Sequence, residues 1–93
     1  MADRLEYEWD EANIRHVRAH RVSPSEFEQL IANEPLDLEY HLEDGEERYK
    51  ALARTDAGRV LIGIWTLRHG RIRAITAYAA SRRYQKLYWE YEK

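Results

Sequence analysis

The stretch VLIGIWTLRHGRIRAITAY, residues 60–78, decides the fold of this 93-residue chain. Its first part, Val60–Leu67, is the most apolar run of the sequence and predicts a central strand of a sheet. His69-Gly70 then predicts a tight turn into a second strand, Arg71–Tyr78. We therefore expect these two segments to pair as an antiparallel hairpin.

The sequence before this hairpin predicts two more strands. Apolar residues alternate with acidic or polar ones from Leu36 to Leu42, and Asp44-Gly45 closes this run as a turn. Arg48–Arg54 follows as the next strand, and the tetrapeptide TDAG at 55–58 is a second turn. Four successive strands joined by short turns predict an antiparallel sheet.

Helix signals lie on both sides of these strands. Asp10 is the predicted N-cap of a helix that ends near His20, Ser23-Pro24 starts a second helix that Pro35 stops, and Ser81 caps a third. A short alternation over residues 5–9 predicts an additional half-buried strand before them. The predicted fold class is α+β, in the order β-α-α-β-β-β-β-α. We expect a single domain over residues 1–93, with the helices packed mainly on one face of the sheet.

Composition excludes several classes of protein. The chain has no cysteine, so it has neither a disulfide framework nor a thiolate metal site. No run of apolar residues reaches the length of a membrane span, and the N-terminus lacks the pattern of a signal peptide. These features predict a cytoplasmic protein that does not associate with membranes.

Charge is distributed unevenly along the chain, although its net value is only −2. Residues 1–45 carry twelve acidic residues and four arginines, a balance of −8, whereas residues 46–93 carry eleven basic and five acidic residues, a balance of +6. A locally basic surface attracts RNA or an acidic protein. The alternative is that these charges only solvate one face.

Arginines flank the predicted hairpin turn. If the loop has two residues, Arg68 lies opposite Arg71, and Thr66 lies opposite Arg73. Because side chains alternate across a sheet, the three arginines then project from one face. Like charges placed opposite each other are destabilising, so a phosphate or carboxylate is expected between them. A longer loop would instead spread them into solvent. Basic residues that would extend this surface are Arg48, Arg59, Arg82, Arg83 and Lys86.

Histidines are candidates for proton transfer in metal-free RNA cleavage, which needs a base and an acid. His20, at the junction of the first two helices, is the preferred candidate, and His16 lies one helical turn earlier. The ordinary alternative is that Asn13, His16 and His20 only cap and pack this junction. No third ligand beyond His41 or His69 is identifiable, so we expect neither a metal nor another cofactor. Tyr88 is either a proton donor or, as we prefer, a core aromatic residue.

These residues resemble a known family. The segment WDEANIRHVRAHRVSPSE (9–26) resembles the N-terminal signature of BrnT-like toxins, and GEER (45–48) resembles the start of one of their strands. TDAGR (55–59), followed by an apolar run and then RIRAITA (71–77), resembles their last two strands. Tyr88 falls where the family usually ends in an E-R-x-x-Y helix. The resemblance extends from about Tyr7 to Tyr88 and rests on the order and spacing of these pieces.

The resemblance implies a RelE-like two-layer sandwich and a ribonuclease toxin of a type II toxin–antitoxin pair. It also implies a BrnA-like antitoxin with a ribbon-helix-helix fold, through which alone the toxin would associate with DNA. The residues implied in RNA contact or cleavage are His20, Arg48, Arg68 and Arg73. The sequence departs from the pattern at Arg21 (commonly glycine), at Tyr78 (commonly arginine) and at Tyr84-Gln85 (commonly Glu-Arg). The alternative is therefore a degenerate relative that binds its antitoxin without cleaving RNA.

Overall fold

The computed structural model describes residues 5–92. In this part of the chain it has three helices and four strands: α1 (Glu11–Ala19), α2 (Pro24–Ala32), β1 (Leu36–Glu43), β2 (Glu46–Arg54), β3 (Val60–Arg68), β4 (Arg71–Ala79) and α3 (Arg82–Glu92). The strands form one antiparallel sheet in the order β1-β2-β3-β4. The predicted α+β class and element order are confirmed.

The β3–β4 hairpin has the predicted two-residue turn. Arg68 pairs with Arg71, and Thr66 pairs with Arg73. His69 and Gly70 both have positive φ angles, of 55° and 75°. This left-handed pair matches the right-handed twist of the strands that it joins, which is why glycine suits the second position. The arginines are therefore placed opposite each other as the sequence predicted.

The predicted caps begin the first two helices. Asp10 accepts a hydrogen bond from the backbone N–H of Asn13, and the Asn13 side chain accepts one from the backbone of Asp10. Ser23 and Glu26 form the same reciprocal capping box, with Pro24 in the first turn. Such boxes satisfy backbone donors that a helix start leaves unpaired.

The helices were expected to pack mainly on one face of the sheet, and α3 is the exception. A side chain at Gly63 would meet Leu30 and Phe27, so α2 covers the face to which Gly63 belongs. Ala51 of β2 pairs with Gly63 and shares its face, so Arg54, three residues further along β2, lies on the opposite face. The guanidinium of Arg54 pairs there with Glu92 of α3 at 3.4 Å. The third helix therefore covers the other face. Sequence order alone could not fix this, because either side of the sheet is reachable after β4.

The predicted N-terminal strand is reduced to one parallel bridge between Tyr7 and Ile72. Backbone hydrogen bonds of 2.9 Å run from Glu8 N to Ile72 O and from Ile72 N to Glu6 O. The Asn13 side chain reaches β4 as well, with its amide 3.3 Å from the carbonyl oxygen of Ala74. This segment and α1 thus lie along the outer edge of β4.

Strand β1 is exposed on its apolar side. Alternation of this kind is typical of a strand with one buried face, yet Tyr40 and Leu42 are 58% and 64% exposed. The pairing with β2 shifts between Asp37 and Glu39, where Leu38 forms an irregularity. The core lies toward the other strands, and the described helices leave this end of β1 uncovered.

Candidate functional site

A cleft of about 220 Å³ opens on the sheet face that carries the hairpin arginines. One wall is α1, and the floor comes from β2, β3 and β4. The residues that line it are Ala12, Asn13, His16, Glu46, Arg48, Thr66, Arg68, Arg73, Ala74 and Ile75. Three of the four residues predicted to be catalytic, Arg48, Arg68 and Arg73, therefore meet at one place.

Strand register explains this convergence. Arg68 and Thr66 are two positions apart on β3, and Arg73 lies opposite Thr66, so all three share a face. Lys50 pairs with Ile64, which brings Arg48 alongside Thr66 on the neighbouring strand. Three consecutive strands, β2, β3 and β4, thus each place one guanidinium group at the same cleft.

Thr66 forms part of the floor beneath these arginines. Its side chain is only 2% exposed, and its hydroxyl has no hydrogen-bond partner among the described residues. A buried hydroxyl without a partner carries a free-energy cost of about 1–3 kcal/mol. Thr66 therefore places a buried hydroxyl, without a hydrogen-bond partner in the described chain, directly beneath the cleft.

Carboxylates hold the guanidinium groups in position. Arg73 Nη1 lies 2.8 Å from Oδ2 of Asp10 and 3.4 Å from Oε1 of Glu8. Arg48 Nη2 lies 3.1 Å from Oε1 of Glu46. Arg68 is held more loosely, with Nη1 at 3.9 Å from Glu8. The cleft is therefore ordered by ion pairs, and Arg68 is the arginine that a ligand can recruit most easily.

Electrostatics fix the charge of the tightest pair. The hydrogen bond from Arg73 holds the pKa of the Asp10 carboxyl below its ordinary value, and the backbone N–H of Asn13 lowers it further. The same contact raises the pKa of Arg73. Both groups are therefore charged wherever the protein is folded near neutral pH, so Arg73 is a permanent cation in the cleft wall.

His16, not His20, is the histidine that lines the cleft. The ring of His20 instead lies 6.1 Å from the ring of Tyr78, near the C-terminal end of β4. The expected proximity of His20 to the arginines is therefore not found. The spacing of His16 from Asn13 carries a usable signal, because i and i+3 share one side of a helix and Asn13 faces β4.

The other predicted RNA-contact residues lie outside the cleft lining. Arg59 donates from Nη1 to the carbonyl oxygen of Arg21 at 2.7 Å and pairs with Glu26 at 3.2 Å, so it ties together the α1–α2 junction. Arg71, at the hairpin tip, is paired with Glu6 at 3.6 Å. Arg82, Arg83 and Lys86 lie on α3, the last two beside a separate surface groove.

The sequence did not predict which carboxylates pair with the arginines of the cleft. It did predict that Tyr88 is a core aromatic residue. Glu8 and Glu46 were assigned no role in the site and Asp10 was predicted only as a helix cap, because a carboxylate resembles an ordinary solvated charge until the fold brings an arginine to it. Tyr88 is fully buried in the core, and burial raises the pKa of its hydroxyl, with the charge of Glu92 contributing. It does not line the cleft.

A comparison with protein families now identifies the chain. The model of the family described as "Ribonuclease toxin, BrnT, of type II toxin-antitoxin system" matches residues 9–83, well over half of the chain. This protein belongs to the BrnT family. A BrnT protein is the ribonuclease toxin of a type II system and has an antitoxin partner and an RNA substrate. A comparison with curated proteins finds no similar sequence.

Two departures of this BrnT chain from the pattern quoted above have visible structural effects. Arg21 replaces the common glycine and has a φ angle of 61°, a conformation that costs side-chain-bearing residues energy. Tyr78 replaces the common arginine and lies beside His20. The arginine that is common at position 78, near the helix junction, is thus missing. The cleft at the other end of β4 keeps its arginines.

Within residues 5–92 no helix is long and apolar enough to cross a membrane. The same part of the chain has no group of three or more His, Asp or Glu side chains arranged to hold a metal ion.

Proposed function

We propose that this BrnT protein cleaves RNA without a metal ion, in the cleft between α1 and the sheet. The 2′-hydroxyl of one nucleotide attacks the adjacent phosphorus, and the bond to the 5′-oxygen of the next nucleotide breaks. One proton leaves the 2′-hydroxyl and one is delivered to the 5′-oxygen. The products are a 2′,3′-cyclic phosphate and a 5′-hydroxyl end.

The observation that carries this proposal is the convergence of Arg48, Arg68 and Arg73 over Thr66, whose hydroxyl has no hydrogen-bond partner within residues 5–92. Negative charge builds up on the phosphoryl oxygens in the transition state, and fixed cations and donors stabilise it. Arg73 is already immobilised by Asp10, so little reorganisation is needed when the charge develops. Arg68, more loosely paired, closes on the phosphate.

Proton transfer falls to the titratable groups that line the cleft. His16 carries ring nitrogens that can accept or donate a proton, and Glu46 carries a carboxylate. We assign one of the two proton transfers to His16 and replace His20, the candidate from sequence, in this role. His20 faces Tyr78 and would reach the phosphate only with a rearrangement of the α1–α2 junction.

We propose a RelE-like arrangement for the fold and the cytoplasm for the site of action, where its RNA substrate is found. The antitoxin is proposed to be BrnA-like, with a ribbon-helix-helix region that connects the complex to DNA. These finer assignments rest on the family resemblance.

The test is incubation of the purified protein with structured and unstructured RNA in EDTA, with end-group analysis of the products. We expect cyclic phosphate ends and loss of about 10²–10³ in rate for Arg48→Ala and for Arg68→Ala, as for removal of one transition-state donor. Arg15→Ala, an arginine of α1 whose side chain is 75% exposed and lies outside the cleft lining, is the matched control and should leave the rate unchanged. Cleavage only when a divalent ion is restored would contradict the mechanism.

A second candidate function has an observation in its favour. Each arginine of the cleft already has a carboxylate partner, so the site is close to charge-balanced without RNA. A protein that binds its antitoxin but has lost cleavage would have this property. Antitoxin binding with no cleavage under any ionic condition would select this function over the first.

A further inference from the structure

The two edges of the sheet differ in whether other parts of the described chain cover them. The outer edge of β4 is occupied by the bridge from Tyr7 and by α1. Strand β1 pairs only with β2, so in the described part of the chain its other edge is unpaired. An open strand edge presents backbone N–H and C=O groups to any extended chain that approaches.

Strand β1 is eight residues long and lacks two of the features that can protect such an edge, lysine and an internal proline. Its irregularity at Leu38 leaves the run Glu39–Glu43 in regular pairing with β2. Tyr40 and Leu42 project from one face of this run and are more than half exposed. This five-residue run keeps the regular geometry that strand addition needs, and its acidic side chains disfavour only a like-charged partner.

The apolar face continues inward from this edge. The ring of Tyr40 lies 5.1 Å from that of Tyr49, which stacks on Trp65 at 5.8 Å with an interplanar angle of 13°. Leu67, on the same face by strand parity, is 49% exposed. Helix α2 ends this surface on its inner side, since Phe27 packs edge-on against Trp65. A partner strand beside β1 would therefore find a ready-made apolar surface for its alternate side chains.

Charge identifies the kind of partner. Residues 22–47 contain nine acidic residues and no lysine or arginine. The acidic residues on β1 and its following turn are Asp37, Glu39, Glu43 and Asp44. Such a surface repels nucleic acid. A second copy pairing β1 with β1 would bring the same acidic stretch against itself, which is unfavourable. A basic protein segment is the complementary occupant.

We propose that the edge of β1 binds an extended, basic segment of a partner protein as a fifth strand of the sheet. Backbone hydrogen bonds to Glu39–Glu43 supply the pairing, and alternate apolar side chains of the segment pack on Tyr40 and Leu42. Its lysines and arginines meet the acidic residues of the strand. This surface is distinct from the arginine cleft, and the proposal does not depend on RNA cleavage.

The experiment uses the full-length, isotope-labelled chain and a short synthetic peptide in which Lys or Arg alternates with Val or Ile. Hydrogen exchange of backbone amides is followed by NMR with and without the peptide. We expect outward-facing amides within Glu39–Glu43 to exchange about tenfold more slowly or better in the complex, because strand addition protects them. Affinity should fall as salt is raised, since the charges are exposed.

Two control peptides separate strand addition from plain charge attraction. One carries Glu in place of every Lys and Arg, and the other keeps the basic sequence but has N-methyl groups that block one edge of its backbone. We expect neither to protect β1. Equal binding of the acidic peptide, or equal protection by the methylated one, would overturn the proposal. So would the absence of protection by the parent peptide.

Matched variants locate the site. Leu42→Lys places a like charge where the basic segment docks and should weaken binding about tenfold or more, whereas Leu87→Lys, at a comparably exposed position on α3, should not. RNA cleavage is expected to be unchanged in both variants, so failure here is separable from failure of the proposed function. Sedimentation of the free chain completes the test: a dimer with β1 already protected would assign the edge to a second copy instead.

Discussion

Asp10 and Arg73 join the start of α1 to the middle of β4: Oδ2 of the aspartate lies 2.8 Å from Nη1 of the arginine. The other oxygen, Oδ1, accepts the backbone N–H of Asn13 at 3.0 Å and caps the helix. The Asp10 carboxylate therefore has two structural roles. It sets the position of α1 against the sheet and holds a cation of the cleft.

Substitutions at Asp10 separate its role as a helix cap from its role in the ion pair. Asp10→Asn keeps a capping oxygen but loses the ion pair, whereas Asp10→Ala loses both. We expect the urea midpoint of unfolding to fall in the order wild type, Asn, Ala. Glu11→Gln, at the exposed neighbouring position, is the control and should leave the midpoint nearly unchanged, because surface pairs of this kind contribute little. Equal midpoints for the Asn and Ala variants would mean that the side chain at residue 10 does not cap α1.

Acid should destabilise the protein partly through the same carboxyl. Arg73 and the backbone of Asn13 hold the pKa of Asp10 below its ordinary 3.8. The unfolded chain then takes up a proton first as pH falls. The contribution is fully present above the ordinary pKa and is lost as pH decreases toward the folded value. Urea unfolding from about pH 5 to about pH 2 should show a shallower loss of stability for Asp10→Asn. Parallel wild-type and variant curves would contradict this account.

Local signals in the sequence were enough to predict most of the fold. The two-residue turn at His69-Gly70, the capping residues Asp10 and Ser23 and the run from Val60 are each determined by near neighbours in the chain. No local signal predicted the side on which α3 packs. It depends on long-range contacts such as Arg54 with Glu92, which leave no periodic trace. The exposure of Tyr40 and Leu42 in β1 was unpredictable for the same reason, since alternation shows that a face is apolar but not that anything covers it.

The site was predictable to a smaller extent. Strand parity placed Arg68 and Arg73 on one face, because turn length alone sets their register. Parity cannot place a helix side chain against a sheet, so the choice between His16 and His20 needed the position of α1. That the hydroxyl of Thr66 has no partner among the described residues could not be predicted either, because a lack of partners is a property of the whole packed structure.

Gly63→Ala should destabilise the protein by about 1–3 kcal/mol, the usual range for overpacking a core. A Cβ atom there would lie 3.1 Å from Leu30 Cδ1 and 3.2 Å from Phe27 Cε2. Both neighbours are fully buried, so they have little room to move aside. Thermal and urea unfolding measure the effect. Ala77→Gly, in the paired position on β4, is a useful contrast: it removes a methyl group instead of adding one. Unchanged stability of Gly63→Ala would show that α2 packs less closely on β3 than described.

Arg21→Gly should increase the free energy of unfolding by up to about 1 kcal/mol. The positive φ of this residue is strained for a side-chain-bearing amino acid, and glycine relieves the strain, although the greater freedom of the unfolded chain offsets part of the gain. The hydrogen bond from Arg59 is retained, because it uses the backbone carbonyl oxygen. Urea unfolding gives the value, and RNA cleavage should not change. A clear loss of stability would mean that the Arg21 side chain contributes more than its backbone strain costs.

Thr66→Val should raise stability and lower cleavage at the same time. The hydroxyl of Thr66 is buried without a partner in the described chain, so replacing it with a methyl group of similar shape removes a cost of about 1 kcal/mol or more. If that hydroxyl donates to a phosphoryl oxygen, its loss should slow RNA cleavage by about tenfold to a hundredfold. Thr55→Val is the matched control. Thr55 is equally buried, but its hydroxyl accepts the backbone N–H of Arg59 at 3.1 Å, so this variant should lose stability. Thermal unfolding and the EDTA cleavage assay supply both readouts. Full activity of a stabilised Thr66→Val protein would remove the threonine from the site and leave only the arginines to hold the phosphate.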